Sequence, residues 1–235
     1  MQFLLRVAQW LGDPAHWEGD GGILNRLLEH VEMSAAVMVA AVVIALPLGV
    51  VLGHYRVPGE LVVNVFNIGQ ATPAFGILVI AVPIFGIGAT PAFVALLALA
   101  VPPILQNSIV GIREVDADLK EAARGMGMTP LRLLFRLEMP LALPVIMAGV
   151  RTSGVNVVAT ATIAALVAWG GLGRFIVDGL SQRDFVQLFA GAVLVAALAI
   201  AAEAFLASLQ RLATPAGLRA AGRPRFRPAA AESSP

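Results

Sequence analysis

The sequence predicts an all-α integral membrane protein of about five transmembrane helices, and three observations carry that reading. Apolar residues make up 58% of the chain and charged residues 13%, against roughly 45–50% and roughly 25% in soluble domains. From Leu61 to Ile112 no residue is charged, far more than the ~20 residues that one helix needs to cross a bilayer. The charges gather in short segments between apolar runs. A net charge of +1 leaves no basic field for nucleic acid to read. The absence of cysteine removes disulfides, thiolate metal sites and cysteine nucleophiles.

Residues 1–32 are expected to form an amphipathic segment outside the membrane. Polar positions 2, 6, 9 and 13 fall at helical spacing, which suits a helix lying on the bilayer surface rather than a cleaved leader. Ile23, Leu24, Leu27, Leu28 and Val31 repeat the pattern, with Asn25, Arg26, Glu29 and Glu32 on the wet side. A transmembrane domain then covers residues 33–209. Its first span is about 33–53, between Glu32 and His54. The uncharged stretch splits at Phe85 to Pro91, FGIGATP, into spans of about 61–84 and 91–110. A charged loop, 111–140, precedes spans of about 144–169 and 185–206. Residues 210–235 mix Pro, Ala, Gly, Arg and Ser with few large apolar residues, and are expected to form a disordered cytoplasmic tail.

Cations fix the orientation. Arg56, the run from Arg113 to Arg136 and the run from Arg211 to Arg227 fall on one side. The other side carries only Arg6, Arg26, Arg174 and Arg183. The positive-inside rule places the charged loop and the C-terminus in the cytoplasm and the N-terminus outside.

The charged loop holds the most specific signal in the chain. Glu121, Ala122, Ala123, Gly127, Leu137, Met139 and Pro140 spell EAA, three residues, Gly, nine residues, then apolar, any, apolar, Pro. Asp116 or Asp118 can cap a first short helix, and Gly125 and Gly127 let the chain leave it. Thr129 can cap a second helix with Pro130 at its first position. Ala122 and Ala123 leave room for close approach, and Met126 and Met128 offer adaptable apolar contact. The alternative is a solvated loop resting on the bilayer. The match at specified positions, on the cationic side and after the third span, favours a docking surface.

This pattern resembles the cytoplasmic loop by which permeases of ATP-binding-cassette importers dock on their ATPase. EAARGMGMTP, MPLALPVIMAGVRTS, TATIAAL and WGGLGRFIVDGL are similar to type I importer permeases for osmoprotectants such as glycine betaine, choline and carnitine. The likeness runs from about Val31 to Leu209. Leu137 stands where isoleucine is commoner and Met139 where leucine is, both conserving volume. The resemblance implies the type I importer permease fold in a bacterial or archaeal cytoplasmic membrane. It implies ATPase coupling through Glu121, Ala122, Ala123, Gly125, Gly127 and Met128, with solute moved by alternating access. It also implies partners: an ATP-binding subunit, a second permease copy or paralogue, and an external substrate-binding protein. A methionine or other amino-acid permease is the alternative within the class.

No cofactor is expected on this chain. The sole lysine, Lys120, lies between Leu119 and Glu121, so no phosphate-binding Gly-Lys-Ser/Thr exists and ATP with Mg belongs on the partner ATPase. No catalytic or metal-binding role is assigned, and His16, His30 and His54 are expected at surfaces. A secondary carrier would need an ionisable group or ion site within the membrane, and the second and third spans hold none.

Polar residues inside spans face protein or water. Asn67, Gln70 and Thr72 in the second span, Asn107 in the third, and Asn156 and Thr160 in the fourth are the candidates for a solute path. Gluing helices together or meeting the partner permease is the equal alternative. Arg151 is expected to snorkel or to pair with Glu138 or Glu203, and the tight external loop Trp169 to Arg174, WGGLGR, suits a docking surface or a gate beneath a binding protein, with a simple turn as the equal alternative. With one tyrosine and three tryptophans, no aromatic cage for a quaternary ammonium is evident. Removing the residues after Thr214 is expected to leave uptake unchanged; a large loss of transport at normal expression would assign the tail a regulatory role.

Overall fold

The computed structural model describes residues 1–56 and 73–214. Among these residues the protein is all helix and turn, with no strand. Four helical runs are long and apolar enough to cross a membrane: Ile23–His54, Ala89–Arg113, Pro130–Val167 and Phe185–Ala213. A fifth, shorter apolar helix, Ala74–Phe85, is the described part of the expected second span. Asn67, Gln70 and Thr72, and residues 215–235 of the expected tail, lie outside the described residues; residues 210–213, expected in the tail, instead continue the last helix.

Helix α1, Gln2–Gly12, packs against the start of the last helix, where the Phe3 and Phe189 rings meet edge to face at 5.5 Å. A short 3₁₀ turn, Pro14–His16, is capped by Asp13, whose side chain accepts from the Ala15 amide at 3.0 Å. Helix α2, Ile23–His54, runs unbroken for 32 residues, about 48 Å. The expected amphipathic segment and first span are therefore one helix. No proline or glycine lies between Ile23 and Met33 to separate them.

Helix α3, Ala74–Phe85, ends at Gly86, and α4, Ala89–Arg113, follows. Gly86 and Gly88 have φ of 82° and 138°, values that glycine adopts readily, so FGIGATP forms the expected turn. Helix α5, Ala117–Gly125, leads to α6, Pro130–Leu133. A π-turn at Leu134–Glu138 joins α6 directly to α7, Met139–Thr160, and a 3₁₀ turn carries the run on to Val167. The second short helix of the charged loop is thus the first turn of the fourth spanning run. Pro140 is the second residue of α7, directly after the π-turn. Helix α8, Gly173–Gln182, and α9, Phe185–Ala213, complete the described chain.

Helix α4 is the hub of the packing, with α2 on one side and α7 on the other. Val37, Ala41 and Ala45 from α2, Leu96, Ala100 and Ile104 from α4, and Val157 from α7 are fully buried in one cluster. Within lipid, apolar burial does not distinguish neighbouring helices, so close backbone approach at small residues must hold them. Gly49 supplies it on one side, because a Cβ there would lie 2.6 Å from Ser108 Cβ and 2.8 Å from the Leu105 carbonyl oxygen. Gly149 supplies it on the other, where a Cβ would lie 2.6 Å from Asn107 Cβ and 2.7 Å from the Pro103 carbonyl oxygen. The Ser153 hydroxyl adds a hydrogen bond across the α4–α7 seam, donating to the Ala100 carbonyl at 2.6 Å.

Gly149→Leu should push α7 off α4 against backbone that cannot yield, at a cost of about 1–3 kcal/mol. The measurement is the thermal unfolding midpoint of the detergent-purified complex. A lower midpoint is expected, and an unchanged one would contradict the close approach.

Candidate functional site

The corner expected to dock on an ATPase, hereafter the docking corner, is built by two local devices. Asp116 caps α5, its side chain accepting from the Asp118 amide at 2.8 Å. At the other end the Met128 amide donates to the Ala123 carbonyl at 3.1 Å and the Gly127 amide to the Arg124 carbonyl at 2.9 Å. With Gly127 at φ 81°, this is a Schellman closure, which satisfies carbonyls that the helix end would leave bare. Thr129 stands at the N-cap of α6 as expected, but its hydroxyl makes no cap bond; its carbonyl accepts from the Leu133 amide at 2.9 Å.

Of the residues assigned to this corner, Glu121, Ala122, Gly125 and Gly127 are exposed and Met128 is half-buried. Met126 stands 75% exposed at the tip. Ala123 is turned into the protein, 3% exposed. Its small side chain serves the seating of α5 on the body rather than an outward surface, so the expected contact role fails for Ala123.

Beneath the corner lies a charged cluster that the sequence reading did not assemble. Glu138 is 2% exposed and Lys120 is 6% exposed. Glu138 Oε2 lies 2.5 Å from His54 Nδ1, and Glu138 Oε1 lies 3.4 Å from Lys120 Nζ. Lys120 Nζ also donates to the Ile112 carbonyl at 2.8 Å, one of the otherwise free carbonyls near the end of α4. The π-turn makes this geometry: a wider turn keeps Leu134, Glu138, Ala142 and Ile146 all buried on one face. A cavity of about 510 Å³ opens beside the cluster, lined among others by Arg56, Arg124, Met128 and Pro130.

The candidates for a solute path divide. Asn107 Nδ2 donates to the Pro103 carbonyl of its own helix at 2.8 Å and packs on Gly149. Asn156 is exposed and lines an open cavity of about 380 Å³ with Arg151, Thr152, Glu203 and Gln210. Thr160 is half-buried at the end of α7. Of the two expected partners Arg151 takes Glu203, with Arg151 Nε donating to Glu203 Oε1 at 2.7 Å, while Glu138 is engaged below the corner.

At the opposite end of the spans the WGGLGR segment is fastened to α2. Glu29 Oε2 accepts from the Gly171 amide at 2.7 Å and from Arg26 Nη1 at 2.9 Å. His30 is 2% exposed, its Nε2 lying 2.9 Å from the Val158 carbonyl. The expectation that the histidines lie at surfaces fails for His30 and for His54, because each takes a partner that is 84 or more residues away along the chain. His16 is half-buried and stacked on Trp10 with ring centroids 4.1 Å apart. Trp169 and Phe93 line a cavity of about 300 Å³ together with Glu32 and Met33, a grouping that sequence distance concealed. Helix α8 was also missed; its signal, buried Phe175 and Gly179 against polar Arg174, Asp178 and Gln182, is present but short.

Comparison with known proteins gives a consistent picture. Residues 45–215 match the model of the family described as binding-protein-dependent transport system inner membrane component. The choline transport system permease protein OpuBB of Bacillus subtilis (strain 168) is 40% identical over 85% of this chain and 92% of its own length. The glycine betaine/carnitine/choline transport system permease protein OpuCB of the same organism is 39% identical over the same shares. The osmoprotectant import permease protein OsmW of Salmonella typhimurium is 32% identical over 88% of this chain and its whole length. Among solved structures, an inward-facing conformation of the MetNI methionine ABC transporter superposes with a TM-score of 0.72 over 82% of this chain and 96% of that chain, at 24% identity, a likeness of fold. The chain belongs to the family of binding-protein-dependent transport system inner membrane components, and it is a transport subunit rather than an enzyme.

Proposed function

We propose that this chain is a permease subunit of an ATP-driven importer for osmoprotectants of the quaternary ammonium class, such as glycine betaine, choline or carnitine. The observation that carries the reading is the similarity to the choline permease over 85% of the chain, which includes the exposed corner around Gly127. An ATP-binding subunit holds ATP and Mg and docks on Glu121, Ala122, Gly125, Gly127 and Met128. A second permease, identical or paralogous, completes the path, and an external binding protein delivers the solute. The N-terminus is outside and the C-terminus in the cytoplasm, a reading that the distribution of arginines supports.

Solute moves by alternating access. Closure of the ATPases draws the docking corners together, the spans rock, and the path opens outward beneath the loaded binding protein. The exposed face of α7 carrying Thr152 and Asn156 lines that path. A carboxylate and a guanidinium beside it, Glu203 and Arg151, neutralise one another, which lowers the cost of holding either within the membrane.

Vesicles holding this permease with its ATPase and binding protein should take up labelled glycine betaine or choline in an ATP-dependent way and leave labelled methionine outside. Uptake of methionine alone would overturn the solute assignment. Gly127→Asp places a charge and a strained left-handed residue, costing about 1–2 kcal/mol, where open space surrounds the backbone. It should leave the protein folded and abolish the dependence of ATP hydrolysis on loaded binding protein; normal dependence in the purified complex would contradict docking at this corner.

A further inference from the structure

The nine-residue helix α5 has only two buried residues, Lys120 and Ala123. Apart from the backbone that runs from the corner through α6 into α7, force on α5 therefore enters the spans through few side chains. One of them, Lys120, reaches two separate elements: the Ile112 carbonyl near the end of α4 at 2.8 Å and the Glu138 carboxylate in the π-turn before α7 at 3.4 Å. The same carboxylate holds His54, the last residue of α2, at 2.5 Å. Four elements thus meet at the Lys120–Glu138 pair, α4 through the lysine and α2 through the carboxylate, and none of the three side chains is more than 10% exposed.

We propose that Glu138, Lys120 and His54 form the joint that makes the docking helix and the spans α2, α4 and α7 move as one body, and that they are positioning residues for coupling of ATP hydrolysis to transport. The proposal deepens the importer reading and rests on it. A buried charged pair contributes little net stability compared with apolar residues of the same volume, but it tolerates only one arrangement of its partners. A joint that must pass a displacement without slack needs that property, whereas apolar contacts as sparse as those of α5 could slide. The π-turn fits the same role, since it places Glu138 on the buried face at the point where the loop becomes a span.

The test is the number of solute molecules taken up per ATP hydrolysed by the reconstituted four-subunit complex with its binding protein. In Lys120→Met/Glu138→Gln both charges go together, so no unpaired charge stays buried and the volume is kept. The complex should assemble and hydrolyse ATP in response to loaded binding protein, while uptake per ATP falls about ten-fold, within the range by which residues between two sites alter their coupling. An unchanged ratio overturns the proposal. So does an equal loss of hydrolysis and uptake with a lowered unfolding temperature, because that is the behaviour of a packing residue.

Should the double variant not assemble, His54 at the rim of the joint carries the same measurement. His54→Leu should lower the ratio and His54→Asn, which keeps a hydrogen-bond donor, should restore most of it; equal ratios overturn the proposal. A wrong solute assignment is distinguishable, because it appears as absent uptake by the unaltered complex rather than as a changed ratio.

Discussion

A carboxylate buried in a membrane protein constrains everything around it. Glu138 is 2% exposed, and an ion removed from water to that degree costs several kcal/mol unless charged or polar partners surround it. Those partners come from the end of α2 and from the docking helix α5, and Lys120 in turn ties the carboxylate to the end of α4. Meeting this requirement fixes where three of the long helices end relative to one another. It also fixes how α5 is held, since Lys120 is half of what that helix buries.

The remainder of the architecture follows from a lipid environment in which apolar surface alone does not select neighbours. Glycines let α2 and α7 approach α4 closely from either side, and short hydroxyl bonds such as Ser153 to Ala100 lock the register. At the far end Glu29 and His30 fasten the WGGLGR segment and the last turn of α7 to α2. The spans are therefore tied at both ends by polar contacts and packed in between by small residues. Such a body rocks more readily than it bends, which suits alternating access.

Much of this was legible in the sequence, and the failures have physical causes. Apolar runs, the FGIGATP turn and the Asp116 and Gly127 caps are local signals, and the structure places helices, turn and caps where they point. Helix continuity was not legible. Thr129 and Pro130 read as the start of a separate helix, yet nothing between Leu131 and Met139 breaks the run, and a π-turn absorbs the change of face. Pairings over long sequence distance were not legible either: Lys120 and His54 read as loop and surface residues until the fold brings Glu138 to them. Ala123 read as part of an outward motif because a motif gives spacing and not the direction of each side chain.

The central claim is that the docking corner and the central span move together. Met126 at the corner and Ile87 in the turn before α4 are 75% and 73% exposed, and the chain has no cysteine of its own, so both positions accept spin labels as cysteines. The distance between them should be measured in complexes carrying one doubly labelled chain, without nucleotide and with the ATPases closed on trapped ATP. The account predicts the same distance in both states. A distance that changes on ATP closure would mean that the corner shifts relative to the spans, and would contradict it.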